Sequence, residues 1–170
     1  IDADLEIISM VIDCMKNAGL EEFQVEIGNV LFFKGLLKEA GIDGDEAEML
    51  VRLIEQKNYF GVEEMVEGMH LNDTLKKLFS LLGSFETQVE ELAEAKSRAS
   101  DSPHLLSALT DLEKLGSFLR LYGIEKYVSF ELGIISNYHY YTGIIFAGYT
   151  FGTGEPVVKG GRYDRLLTYF

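Results

Sequence analysis

The chain has 170 residues, of which 47% are hydrophobic and 25% charged, as in one globular domain with a sizeable core. Its 28 acidic and 15 basic residues give a net charge of −13, which disfavours electrostatic binding of nucleic acid. No apolar run reaches the ~18 residues of a membrane span and no leader-type sequence opens the chain, so we expect a cytoplasmic protein without membrane association. The single cysteine, Cys14, lies in a helical apolar pattern that predicts a buried thiol.

The opening segment predicts a helix, a strand and a second helix. Apolar residues recur at helical spacing over 3–18, and Gly19 then provides a left-handed stop. Apolar and polar residues alternate over 23–28, which indicates a half-buried strand. Asn29 follows directly and is suited to cap a helix over 30–40.

The middle of the chain is predicted to be almost entirely helical. It is dense in Glu, Leu and Met at three- and four-residue spacing and carries almost no strand pattern. Ser102 followed by Pro103 is typical of a helix start. The predicted helices lie near 44–57, 60–68, 72–82, 84–95 and 103–122.

The last part returns to a period of two, with predicted strands over 128–132, 139–150 and 157–159. We expect these strands to pair in sequence order as an antiparallel meander. Strands at both ends with helices between them predict an α+β fold, in which the helices are an insertion into the sheet domain.

We divide the chain into 1–42, a helical insertion over 43–123, and the strands of 124–170. Because it begins at Ile1 without methionine and stops at Phe170 where a helix is predicted, we expect a piece of one longer domain.

Candidate functional residues lie on the last strands. Tyr141 and Tyr140 occupy opposite faces of one predicted strand, so one ring can pack in the core while the other presents a hydroxyl to a small polar ligand. Gly160 and Gly161 permit close approach of another group, and 162–164 is predicted to begin a helix. Capping and ion pairing are alternative roles for 162–164. Glu131 and Glu155 could also form an acid–base pair, but the sequence does not determine the distance between their carboxylates.

The pattern Tyr-Tyr-Thr-Gly-x-x-Phe at 140–146, followed by Gly-Gly-Arg-Tyr-Asp at 160–164, resembles the histidine-binding elements of the histidyl-tRNA synthetase family. The resemblance implies the antiparallel sheet of a class II aminoacyl-tRNA synthetase-like core with a large helical insertion. It implies no metal ligand and no cofactor. The implied histidine-like ligand site comprises Tyr140, Tyr141, Gly160, Gly161 and Tyr163, with Arg162 and Asp164 supporting the loop by pairing.

One position departs from the synthetase pattern in a way that bears on chemistry. Ser136 stands where the synthetases carry an arginine that is expected to act on the substrate carboxylate and phosphate. A serine cannot supply the fixed positive fork of a guanidinium, so amino-acid activation is not expected. The segment 19–37 resembles the regulatory subunits of ATP phosphoribosyltransferase, which are relatives of the synthetase.

The resemblance therefore implies a non-catalytic regulatory subunit that acts in the first step of histidine biosynthesis. The implied partners are a short-form ATP phosphoribosyltransferase catalytic subunit and histidine as feedback effector, in a homo-oligomer within a hetero-oligomer, without tRNA. A divergent histidyl-tRNA synthetase fragment that remains an enzyme is the alternative. A synthetase-like sensor domain with other partners is a third hypothesis.

Overall fold

A computed structural model describes residues 1–83, 89–99, 102–135 and 141–169 of the chain. Short 3-10 turns occupy Leu81–Gly83, Glu125–Tyr127 and Leu166–Tyr169. The helices are α1 Asp2–Asn17, α2 Val30–Ala40, α3 Gly44–Glu55, α4 Tyr59–Glu67, α5 Asp73–Ser80, α6 Val89–Arg98 and α7 Pro103–Leu121. The strands are β1 Phe23–Asn29, β2 Val128–Phe130, β3 Ile144–Thr150 and β4 Val158–Gly161.

The sheet order is β2-β1-β3-β4, which differs from the predicted meander. β1 pairs antiparallel with β3, and β3 pairs antiparallel with β4, but β1 lies between β2 and β3 and runs parallel to β2. Val25 and Ile27 of β1 are fully buried, as a central strand requires. The predicted pairing of β3 with β4 is confirmed. The predicted pairing of β2 with β3 is wrong, because the helical insertion acts as a crossover that returns the chain beside β1 in the same direction.

The helices follow the sequence pattern closely. α1 buries Leu5, Ile8, Ile12 and Met15 on one stripe. Cys14 lies on the opposite side of that helix and is exposed, so the prediction of a buried thiol is wrong. No helix within the described ranges is long and apolar enough to cross a bilayer.

The predicted long strand over 139–150 is shorter, because β3 begins at Ile144. Residues 136–140, which include Tyr140, lie outside the described residues. The predicted helix start at 162–164 is also wrong. The amide of Arg162 donates to Ile144 O at 2.7 Å, so the chain continues beside β3 before it turns.

The sheet has one face in the core and one face toward a cavity. Ile144 and Phe146 of β3 join the same apolar cluster as α1, α2 and α7. Tyr141, Ile145 and Tyr149 lie on the other side of β3 and line the cavity. The expectation that one face of this strand packs while the other lines a pocket is therefore confirmed.

Asn29 connects β1 to α2 and to the last helix of the insertion. Its Oδ1 accepts the Leu31 amide at 3.0 Å, and its Nδ2 donates to Ala108 O at 3.4 Å, with 1% of the residue exposed. We expect Asn29→Ala to lower the free energy of unfolding by about 1–2 kcal/mol, through loss of the cap and of the hydrogen bond to the Ala108 carbonyl. Urea unfolding measures this effect, and Asn72→Ala, at an exposed cap of α5, is the control. An Asn29 effect no larger than the control would contradict the role of the Ala108 contact.

Candidate ligand cavity

A cavity of about 680 Å³ lies on the open face of the sheet. We call it the sheet cavity. Its walls come from β1, β3 and β4, from the segment after β2, and from the junction of α3 and α4. It is lined by Glu26, Ile54, Glu55, Lys57, Tyr59, Glu131, Gly133, Ile134, Ile135, Tyr141, Ile145, Phe146, Ala147, Tyr149, Glu155, Pro156, Lys159 and Gly160.

The paired glycines of β4 make room for two aromatic rings. A Cβ on Gly161 would lie 2.8 Å from Cδ1 of Tyr141, and a Cβ on Gly160 would collide with the ring of Phe146. Side chains at these positions would force both rings to move. The Gly-Gly pair therefore fixes where the Tyr141 ring lies.

Of the predicted ligand residues, Tyr141 and Gly160 line the sheet cavity directly, and Gly161 lies against the Tyr141 ring. Tyr163 is 45% exposed, and its ring centroid lies 6.1 Å from that of Tyr141 at an interplanar angle of 51°. The structure thus brings these four residues near one another, and two of them, Tyr141 and Gly160, line the cavity. Their binding of a ligand stays a prediction.

Arg162 and Asp164 turn away from this cavity and toward α1. Arg162 donates to both carboxylate oxygens of Asp4, with 3.1 Å between Nε and Oδ1, and this pairing raises the pKa of the guanidinium. Asp164 accepts a 2.8 Å hydrogen bond from Thr142 Oγ1. Both residues line a second cavity of about 290 Å³ between α1 and the strands. These contacts tie the loop after β4 to α1 and to the segment before β3.

Two carboxylates, those of Glu26 and Glu131, lie near each other in the sheet cavity, and no sequence pattern had paired them. Glu131 is 4% exposed, and its Oε1 accepts the Gly133 amide at 3.0 Å. Burial raises the pKa of Glu131 to about 7. The hydrogen bond from the Gly133 amide opposes this rise by lowering the pKa, and the neighbouring carboxylate of Glu26 adds to it. Burial also raises the pKa of Glu26, while Lys57 opposes that shift. Glu131 and Glu155 both line the cavity, but Glu26 is the carboxylate that Glu131 faces electrostatically.

The helical insertion contributes a lysine and a tyrosine to the same region. Lys57 has a left-handed backbone with φ 53°, and its Nζ lies 5.8 Å from the ring centroid of Tyr149. Burial, followed by the charge of Glu131, raises the pKa of Tyr59, and burial raises that of Tyr149. The alternation of β1 could have placed Glu26 on the open face. No sequence pattern links Lys57 or Tyr59 to the sheet.

The described residues contain no group of three or more His, Cys, Asp or Glu side chains placed to hold a metal ion.

Comparison with known proteins extends over the whole chain. The family model described as histidyl-tRNA synthetase matches residues 1–170. The chain is 42% identical over 99% of its length to the ATP phosphoribosyltransferase regulatory subunit of Acetivibrio thermocellus, of which it spans 40%. The resemblance to regulatory subunits predicted from the sequence is therefore confirmed.

Solved structures agree on the fold. An ATP phosphoribosyltransferase regulatory subunit/histidyl-tRNA synthetase from Bacillus halodurans C superposes with a TM-score of 0.86 at 36% identity, over 98% of this chain and 44% of that one. The ATP phosphoribosyl transferase (HisG:HisZ) complex from Thermotoga maritima matches with a TM-score of 0.71 at 26% identity, over 95% of this chain and 56% of that one. These similarities confirm the predicted α+β fold with a synthetase-like core and a helical insertion. The chain belongs to the histidyl-tRNA synthetase family.

Proposed function

We propose that the chain is part of a non-catalytic regulatory subunit of ATP phosphoribosyltransferase, required by a short catalytic subunit in the first step of histidine biosynthesis. The observation that carries the proposal is the 42% identity, along 99% of the chain, to a protein of that name. The HisG:HisZ complex supports a separate partner subunit, because a two-component assembly contains a chain of this fold.

Ser136 supports the absence of amino-acid activation. The position that holds an arginine in the synthetase pattern carries a side chain without charge, so no guanidinium from this position can neutralise a developing phosphate charge. Acidic side chains outnumber basic ones in the lining of the sheet cavity, and this charge balance disfavours a nucleotide there.

The proposal includes histidine as feedback effector, bound in the sheet cavity. Tyr141 and Gly160 line a cavity large enough for an amino acid, and Gly161 and Tyr163 lie beside the Tyr141 ring. The proposal also includes a homo-oligomer of this subunit within the hetero-oligomer. We place the protein in the cytoplasm, where its exposed cysteine would stay reduced.

The test uses the full-length protein and a short-form catalytic subunit from the same genome. We expect the two to co-elute from a sizing column, and phosphoribosyl-ATP formation to require both and to fall when histidine is added. Histidine-dependent exchange of pyrophosphate into ATP by the full-length protein alone would overturn the proposal in favour of a synthetase. Absence of complex formation would also overturn it, in favour of a sensor domain with other partners.

Histidine affinity gives a sharper test of the site. Tyr141→Phe removes one hydroxyl while it retains the ring against Gly161, and we expect the dissociation constant for histidine to rise about two- to tenfold. Tyr163→Phe should act in the same direction. Titration calorimetry on the full-length protein measures both effects, and Tyr122→Phe, whose residue is 66% exposed at the end of α7, is the control. Unchanged affinity in both variants would remove these tyrosines from the site.

A further inference from the structure

Tyr163 lies between two residues whose side chains are held in place. Arg162 donates from Nε to Asp4 Oδ1 at 3.1 Å and from Nη2 to Asp4 Oδ2, so both carboxylate oxygens are engaged. On the other side, Asp164 accepts from Thr142 Oγ1 at 2.8 Å, and its amide donates back to the same oxygen at 3.1 Å. The tyrosine itself is 45% exposed, so its neighbours in the chain contribute to the position of its ring.

The pair of Arg162 and Asp4 joins segments that are far apart in the chain. Asp4 is in the first turn of α1, and 158 positions separate it from Arg162. The stem of the arginine passes Gly143, where a Cβ would lie 3.1 Å from Arg162 Cδ. The carbonyl of Gly143 in turn accepts the Val30 amide at 3.1 Å, where β1 meets α2. α1 therefore holds the loop after β4 across the short segment that carries Tyr141.

The ion pair is better suited to orient the loop than to stabilise the fold. The Asp4 side chain is 9% exposed and the Arg162 side chain 33%. The cost of desolvating two charges offsets much of their attraction, so the net stability gained from such a pair is small. A guanidinium that meets both oxygens of one carboxylate is nevertheless fixed in direction. Without Asp4 the guanidinium can turn to the solvent that it already reaches.

We propose that Asp4 is a positioning residue of the sheet cavity, which through Arg162 holds Tyr163 beside Tyr141 and thereby sets the affinity of that cavity for histidine. The inference rests on the proposed effector role of histidine. The ring centroids of the two tyrosines lie 6.1 Å apart, within the range of a direct aromatic contact, so a shift of the loop changes the spacing of both rings. Asp4 acts at a distance, because it lines the second cavity and not the sheet cavity.

Titration calorimetry on the full-length protein with L-histidine is the first measurement. Asp4→Asn removes the charge at nearly unchanged volume, and we expect the dissociation constant to rise about three- to tenfold. Asp4→Glu keeps the carboxylate and should retain most of the affinity. Asp2→Asn is the matched control, because Asp2 lies in the same first turn of α1 and is exposed. The control should leave the affinity unchanged.

A double-mutant cycle separates positioning from a general structural effect. In the Tyr163→Phe background the hydroxyl that Asp4 is proposed to position is absent, so Asp4→Asn should then weaken L-histidine binding by about twofold or less. An effect that acts only through overall stability or net charge would be the same in both backgrounds. Equal effects would therefore overturn the proposal.

Hydrogen exchange of the ligand-free protein gives a readout that does not depend on histidine. The amide of Asp164 donates to Thr142 Oγ1, so peptides that cover 162–166 report on the loop. We expect these peptides to exchange faster in Asp4→Asn than in the wild type or in Asp2→Asn. Peptides from α5 should exchange at the same rate in all three proteins.

The outcomes distinguish the positioning role from the effector role. If the wild type binds L-histidine and Asp4→Asn keeps wild-type affinity, the positioning role is overturned and the effector role stands. If the wild type does not bind L-histidine, the effector role fails; faster exchange in Asp4→Asn then still supports the positioning of Tyr163. Equal exchange in all three proteins overturns the positioning role in either case. Circular dichroism confirms that each variant is folded.

Discussion

Phe32→Ala is expected to lower the free energy of unfolding by about 3–5 kcal/mol, the range for a fully buried phenylalanine. Phe32 lies in α2 with no exposed surface, inside the apolar cluster that joins α2 to α7 and to β1. The lost ring leaves a cavity that the surrounding helices can fill only in part. For a chain of this size the melting temperature should fall by roughly 6–20 °C.

Leu31→Ala is the matched control for Phe32. It lies one residue earlier on the same helix and is 37% exposed, so we expect a loss of about 1 kcal/mol or less. Thermal and urea unfolding of the two variants should therefore differ clearly. Equal losses would contradict the assignment of this stabilisation to burial of the Phe32 ring.

Glu131→Gln is expected to stabilise the unliganded protein at alkaline pH. The ordinary pKa of a glutamate is 4.5, and burial raises that of Glu131 to about 7, so ionisation in the folded state opposes folding. Below about pH 4.5 the carboxyl group is protonated in both states, and the variant should match the wild type. Well above pH 7 the wild type carries the full cost, roughly 3 kcal/mol, and glutamine removes this ionisation cost.

The measurement is urea unfolding of both proteins between pH 4.5 and pH 8.5, without ligand. The wild type should lose stability relative to the variant as the pH rises through this window. Glutamine keeps a carbonyl oxygen for the Gly133 amide, so the local hydrogen bond is preserved. Glu22→Gln, on an exposed side chain, controls for net charge. A difference that does not change with pH would contradict the assignment of this burial cost to Glu131.

Local sequence patterns predicted the elements of this fold more reliably than their pairing. Asn29, Gly41 and Ser102 act at helix ends as their residue types indicate, because capping depends on a few neighbouring backbone groups. The position of β1 beside β2 depends instead on contacts between segments far apart in the chain. Alternation of apolar residues indicates a strand but not its neighbour.

In the candidate site, likewise, sequence motifs identified some residues, and only the structure identified the others. Tyr141, Gly160 and Gly161 could be selected from their motifs, and the structure places them in contact. Lys57 and Tyr59 reach the cavity only because the α3–α4 junction lies over the sheet, and helical periodicity says nothing of that placement. The acidic pair was missed because Glu26 and Glu131 are ordinary polar positions of alternating strands until the register of β1 and β2 is known.

The central position of β1 has a consequence for synthesis on the ribosome. Val25 finds its partner Val128 on β2 and its partner Gly148 on β3 only after roughly one hundred further residues have been made. At ~5–20 residues per second, this central strand of the sheet emerges several seconds before either neighbour. During that interval α1, α2 and the helical insertion are the segments available to cover it. We therefore expect the insertion to shield β1 from pairing with another nascent chain, in addition to its place above the cavity.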